Sequence, residues 1–186
     1  MSKGVLLFEK YISHVIELDW YECKQKRTYR DGTMSKKDLE WRNHDRATAY
    51  DISPFDETIV MDTDFIIGND ILLNAFDTDQ DFLIFRHITD LNMDRPDEYR
   101  FNKISDRSID MYWATIFYFK KSEGMKRFFD LITHIKDNWN FYRLTYQIVN
   151  KTYRNDFAFS IAIHILNGFQ RTNWPNVLPG RLWFTS

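Results

Sequence analysis

The hydrophobic pattern of the chain contains several short apolar runs that are typical of strands. Residues 58–61 are β-branched or apolar and lie between polar residues, as in a strand buried on both faces of a parallel sheet. Residues 82–88 and 111–120 are two further strand candidates, and residues 14–18 predict a shorter strand. These four segments supply the predicted sheet.

Other segments carry apolar residues at helical spacing. After Ser122, a predicted N-cap, five apolar side chains recur every three or four residues: Met125, Phe128, Phe129, Ile132 and Ile135. A second helix is predicted over residues 138–149. A third begins at Asn155 and Asp156 and stops at Gly168.

The region before the first long strand is more polar. Residues 39–50 place Leu39, Arg46 and Tyr50 on one helical face, and Ser53 with Pro54 is expected to end that helix. Residues 24–40 contain the turn signal Asp31-Gly32 and predict a loop. The alternation of strands and helices predicts a single three-layer α/β domain over residues 1–186, with a central mixed, mostly parallel sheet.

Composition narrows the function classes. The chain has 186 residues, of which 44% are hydrophobic and 28% charged, the balance of a soluble globular protein. Its formal net charge of −2 and its short, offset cationic runs argue against a nucleic-acid partner. The single cysteine, Cys23, excludes an intramolecular disulfide, and no segment has the roughly 20 apolar residues of a membrane span. A cytoplasmic location is expected.

The chemistry centres on two acids at the end of the 58–61 strand. Alternation along an extended chain places Asp62 and Asp64 on one side. The carboxyl ends of strands are where open α/β sheets bind their ligands. Carboxylate oxygens are preferred ligands of Mg²⁺ and Mn²⁺, and such a cation can bridge to phosphate oxygens. The Asp-x-Asp motif therefore predicts a divalent-cation site.

The surrounding residues give this motif a context. An arginine on a helix, an aromatic and proline-containing turn, an apolar strand, Asp-x-Asp and a further acid, Asp70, follow one another between residues 46 and 70. This order resembles the core of the GT-A glycosyltransferases, in particular the glycogenin-like branch and related bacteriophage-type sequences. The similarity continues through residues 113–120 and 154–160 and covers roughly residues 40–168.

The resemblance implies roles for individual residues. Asp62 and Asp64 would hold Mn²⁺ or Mg²⁺, and Arg46 would lie near the diphosphate of a nucleotide-sugar donor, a UDP-sugar by preference. Asp156 would orient an acceptor hydroxyl or accept its proton. Trp113 and Thr115 would line the acceptor side. The implied function is transfer of a sugar from this donor to an unknown acceptor.

Structural explanations remain open for the same residues. Arg46 could pair with Asp45 or Glu40 on a helix surface, and Asp156 could cap the helix that it begins. Trp113 has the pattern of a buried strand residue. His164, between two isoleucines, is expected to be a packed histidine and not a metal ligand.

Two departures from the family pattern lead to a further expectation. Only 61 residues precede Asp62, without a clear opening nucleotide-binding strand, and the C-terminal region contains no match to the family's third metal ligand. The GT-A-like fold is therefore expected to be incomplete, and the chain alone a weak transferase. The alternative function is a non-catalytic GT-A-derived module that binds a sugar or a protein.

Overall fold

The computed structural model describes most of the chain as two compact units, Met1–Arg42 and Asn43–Ser186. The described residues are 15–16, 26–30, 36–40, 45–86, 88–90, 103–104, 109–149 and 151–184. Cys23 and most of the strand predicted at 14–18 lie outside them, and residues 15–16 are exposed and irregular.

The first unit contains a β-hairpin. Strand β1 (Lys26–Arg30) pairs antiparallel with β2 (Lys36–Glu40), so that Lys26 lies opposite Glu40. The loop predicted for residues 24–40 is therefore wrong over these ten residues. This pairing is made by backbone hydrogen bonds, which do not depend on an alternating apolar pattern in the sequence.

The second unit is built on a three-stranded sheet. Strands β3 (Glu57–Met61), β4 (Phe82–Phe85) and β6 (Trp113–Lys120) confirm three of the predicted apolar runs. The strand order is β3-β6-β4, and both pairings are antiparallel. The mostly parallel sheet predicted from sequence is thus wrong for this part of the fold. A short parallel pair joins β5 (Ile88–Asp90) to β7 (Leu182–Phe184).

Both faces of the sheet are covered at β4 and β6, which explains the continuous apolar runs of these strands, whereas β3, predicted to be buried on both faces, is only partly buried at each position. One face packs against helices around Phe82, Phe117 and Phe119, all fully buried. The other face, with Leu83 and Tyr118, packs against a 3₁₀ segment (Ile71–Asp77) and the C-terminal segment. An apolar run marks burial on both faces, and it does not distinguish parallel from antiparallel pairing.

The three later helices follow the sequence pattern, but the helix predicted over residues 39–50 is wrong in its first part, because residues 39 and 40 lie in β2 and the helical turns begin at Arg46. A 3₁₀ turn (Arg46–Thr48) leads into the short helix α1 (Ala49–Ile52), which ends before Ser53-Pro54 as expected. Three further helices are α2 (Glu123–Asp137), α3 (Trp139–Thr145) and α4 (Asn155–Leu166).

Local signals fix two of these helix ends. The Ser122 hydroxyl accepts a hydrogen bond from the Met125 N–H at 3.3 Å, which confirms the predicted N-cap of α2. Gly168 lies beyond the end of α4 with φ +65°, a conformation that suits glycine.

The described residues therefore form a mixed α/β fold. The GT-A-like three-layer sandwich stays a prediction. Met61, predicted to be buried at its strand end, is only partly buried. In the described ranges, no helix has the length and apolar character needed to cross a membrane.

Candidate functional site

The candidate site lies beside an irregularity in the pairing of β4 with β6. Along β4, Ile84 pairs with Phe117, but the next residue, Phe85, pairs with Trp113. The backbone of Ala114 and Thr115 on β6 is thereby released from regular pairing with β4. Such bulges often lie next to active sites because they free backbone groups for other partners.

Three predicted site residues bond to this part of β6. The Ala114 N–H donates to Asp156 Oδ1 at 3.0 Å, and the Ala114 carbonyl accepts from Arg46 Nη1. The Asp62 N–H donates to the Thr115 carbonyl at 3.2 Å and so continues the pairing of β3 with β6 beyond Met61. Ala114 and Thr115 therefore connect the end of β3, the turn before α1 and the start of α4.

Arg46, like Asp156, is an enclosed charge of this group. Its side chain is only 8% exposed, and its guanidinium also contacts Asp62 Oδ1. Burial lowers the pKa of Arg46, while the negative charges of Asp156 and Asp64 act in the opposite direction. Arg46 is therefore directed towards Asp62 and the β6 backbone. Asp45, which the sequence offered as an alternative partner of Arg46, contacts Lys136.

The two acids of the Asp-x-Asp motif differ in environment. Asp62 follows directly after β3, and its side chain is 30% exposed beside Arg46. Asp64 is exposed and lies in a turn in which the Phe65 N–H donates to the Asp62 carbonyl at 3.4 Å. The chain is not extended from Asp62 to Asp64, so the alternation that predicted both acids on one side does not apply here. The charge of Asp64 acts on Arg46, so that both motif acids lie in the electrostatic surroundings of one guanidinium.

Asp156 is buried, with 6% exposure, at the first turn of α4. Its Oδ2 accepts from Arg154 Nη2 at 2.6 Å, while Oδ1 accepts from the Ala114 N–H. It forms no side-chain cap of its helix; the N-cap position is Arg154, which has no capping hydrogen bond from its side chain. The capping explanation for Asp156 is thus wrong, because Oδ1 is bonded to β6 and Oδ2 to the side chain of Arg154, two residues earlier.

Two more predicted residues lie on the same stretch of β6. The Thr115 hydroxyl is buried and has no hydrogen-bond partner among the described residues. Trp113 is buried, with 8% exposure, in the cluster on the far face of the sheet. Trp113 therefore has the position of a core residue, as its sequence pattern suggested.

The donor set fits a divalent cation only in part. Across the described ranges, no three His, Cys, Asp or Glu side chains are grouped to hold a metal. Mg²⁺ is often bound through one or two carboxylates together with substrate phosphates. Asp62 and Asp64 supply two carboxylates here, which is fewer ligands than a complete protein site for such a cation has.

Two members of the candidate site could not be identified from the sequence. The Ala114 backbone acts through its freed N–H and C=O, which every residue type possesses. Arg154 is marked in the sequence only by its place two residues before Asp156. His164 is partly buried on α4 between aromatic rings and is not part of this cluster.

Comparison with known proteins gives no relative. No family model, curated protein sequence or solved structure matches this chain.

Proposed function

We propose that the second unit is a metal-dependent glycosyltransferase domain that takes a nucleotide-sugar, with UDP as the preferred nucleotide. The observation that supports this proposal is the convergence of Arg46, Asp62 and Asp156, which come from three separate segments and contact one another or neighbouring backbone groups of β6. Asp64 follows Asp62 in an exposed turn, and its charge acts on Arg46.

The motif acids would hold the cation. Mn²⁺ or Mg²⁺ on Asp62 and Asp64 would supply positive charge to the diphosphate, which is the leaving group of glycosyl transfer. Arg46 has the geometry of a positioning residue: it fixes the Asp62 carboxylate and the Ala114 carbonyl. Because its guanidinium already offsets part of the Asp62 charge, cation binding should depend strongly on the nucleotide.

Asp156 is the proposed acceptor-side acid. Its carboxylate is held by Ala114 and Arg154, and an ionised carboxylate has about four lone-pair positions, so it can accept a further hydrogen bond. The buried Thr115 hydroxyl belongs to the same stretch of β6. Asp156 would orient an acceptor hydroxyl or take its proton.

A transfer and donor-hydrolysis assay tests this proposal. The full chain is incubated with Mn²⁺ and a panel of UDP-sugars, and UDP release is measured. We expect slow release that Asp64→Asn abolishes, and that Asp77→Asn, a change at an exposed acid outside the cluster, leaves unchanged. Release that is absent for every donor, or equal in Asp64→Asn, would overturn the proposal.

The contact between Arg46 and Asp62 favours one alternative, a non-catalytic GT-A-derived module. A guanidinium that neutralises Asp62 could replace the cation in a domain that retains only sugar or protein binding. In that case UDP would not change the affinity for Mn²⁺, whereas a working donor site couples the two ligands.

A further inference from the structure

A second concave site lies at the other end of α4. It is a cavity of about 380 Å³ between the ends of α3 and α4 and the segment before β6. Its walls combine aromatic rings with amide and hydroxyl side chains, among them Tyr112, Tyr146, Gln147, His164, Phe169 and Gln170. A volume of this order suits a small ligand, and ligand sites commonly combine aromatic walls with a few polar groups.

Three rings form one wall. The His164 ring lies 5.9 Å from Tyr146 and 5.5 Å from Phe169, centre to centre, and is nearly perpendicular to both. Phe169 is 66% exposed in spite of these contacts. An exposed ring held by a neighbour provides an apolar face at little further entropic cost.

The backbone holds this wall in an uncommon conformation. Gln147 and Phe169 have φ of 55° and 62°, and both are non-glycine residues just beyond helix ends. Phe169 is fixed by a hydrogen bond from its N–H to the His164 carbonyl at 2.9 Å. Left-handed residues of this kind carry strain and are found preferentially at ligand sites.

The charged side chains at the cavity pair with one another. Asp110 lines it and accepts from Arg86 at 2.7 Å, and Arg171 lies 3.4 Å from its other oxygen. The C-terminal end of α4 adds partial negative charge on the same side. The arginines are thus paired, while the side chains of Gln147 and Gln170 are exposed and can both donate and accept hydrogen bonds.

We infer that this cavity binds a neutral saccharide, with a pyranose ring stacked on Phe169 and its hydroxyls bonded to Gln147 and Gln170. A sugar presents an apolar C–H face and a rim of hydroxyls that donate and accept, which matches an aromatic wall flanked by amides. Burial lowers the pKa of His164 in spite of the nearby Asp110, which favours a neutral imidazole in the wall.

The saccharide site is separate from the acidic cluster but connected to it. His164 lies eight positions after Asp156 on α4, which corresponds to about 12 Å along the helix. Between them, the buried Ser160 hydroxyl accepts from the Tyr112 N–H at 2.8 Å and donates to the Asp156 carbonyl at 2.6 Å. The inference does not require the proposed transferase activity, since binding needs neither cation nor nucleotide.

Saturation-transfer NMR on the full chain tests this site without metal or nucleotide. The probes are cellobiose, maltose, lactose and N,N′-diacetylchitobiose at millimolar concentration, with methyl phosphate and indole as the anionic and apolar comparisons. We expect at least one disaccharide to bind, with ring C–H protons receiving most saturation, and methyl phosphate to bind no more than to a control protein.

Variants assign the binding to this cavity. Phe169→Ala should lower the affinity for the bound disaccharide by at least about fivefold. Gln147→Asn, which keeps a residue tolerant of positive φ, should also lower this affinity. Phe141→Ala is the matched control, because Phe141 is 65% exposed on α3 outside the cavity, and it should bind as the wild type does. Failure of every disaccharide to bind, binding of indole alone, or equal binding by Phe169→Ala and the wild type would overturn the inference.

Discussion

The guanidinium of Arg46 contacts the Asp62 carboxylate and the carbonyl of Ala114, and so connects the end of β3 to the bulge of β6. One side chain thereby joins an acid of the Asp-x-Asp motif to the strand that also holds Asp156. The contact is largely enclosed, with 8% of the Arg46 side chain exposed. The cluster is therefore part of the structural framework as well as a candidate site.

Replacing Arg46 with methionine should destabilise the second unit. The change leaves the Asp62 charge and the Ala114 carbonyl without their partner, and we expect a loss of about 2 kcal/mol in the free energy of unfolding. Urea denaturation measures this loss. The control is Lys126→Met, which removes a solvent-exposed pair with Asp130 and should have no measurable effect. Equal stability of the two variants would contradict the assigned role of Arg46.

Substitutions at Asp156 separate structure from chemistry. Asp156→Asn keeps an oxygen that can accept from the Ala114 N–H, whereas Asp156→Ala leaves that buried donor without a partner. We expect Asp156→Ala to lose about 2 kcal/mol of unfolding free energy and Asp156→Asn clearly less. Thermal unfolding of both proteins measures the difference. An asparagine variant as unstable as the alanine variant would show that the charge, and not the hydrogen bond, holds the strand.

The N-cap of α2 offers a third test. The Ser122 hydroxyl accepts from the Met125 N–H and donates to Asp81 Oδ2 at 2.7 Å, so Ser122→Ala removes two contacts. We expect a loss of about 1 kcal/mol in unfolding free energy, the usual effect of deleting a cap. Thr133→Ala, in the interior of the same helix, is the comparison and should cost less. A Ser122→Ala protein that is no less stable than Thr133→Ala would argue against the cap.

Much of the second unit could be predicted because its elements carry local signals. The period of α2, its Ser122 cap and the glycine after α4 are readable in the sequence and recur in the structure. The direction of strand pairing could not be read, because β6 is apolar on both faces whichever way its neighbours run. The β1–β2 hairpin was missed because neither strand has an alternating apolar pattern.

The residues of the candidate site follow from motif order, whereas their contacts do not. The structure brings Arg46, Asp62 and Asp156 to neighbouring backbone groups of β6, and Asp64 lies in the exposed turn after Asp62. The Ala114 backbone is free for these contacts because of the register shift between β4 and β6. Sequence spacing therefore could not indicate that Arg46 would be directed inward to Asp62.

The pH dependence of stability should report on His164. Burial lowers its pKa below the ordinary value of 6.5, with Asp110 opposing the shift. The unfolded chain then binds more protons than the folded one, so this group's contribution is present above pH 6.5 and is lost as pH falls through the folded pKa. Denaturation from pH 7.5 to 5 should give a steeper loss for the wild type than for His164→Gln. The variant His134→Gln, changed at an exposed position, should keep the wild-type slope, and equal slopes for all three proteins would contradict the prediction.

Coupled binding of Mn²⁺ and UDP is the direct test of the proposal that Asp62 and Asp64 hold a cation together with the nucleotide of the donor. Isothermal titration of Mn²⁺ is performed on the full chain with and without saturating UDP, for the wild type, Asp64→Asn and the control Asp77→Asn. The account predicts that UDP raises the Mn²⁺ affinity of the wild type and of Asp77→Asn by at least about tenfold, and that Asp64→Asn loses this increase. Mn²⁺ affinity that is unchanged by UDP in the wild type, or raised equally in Asp64→Asn, would contradict it.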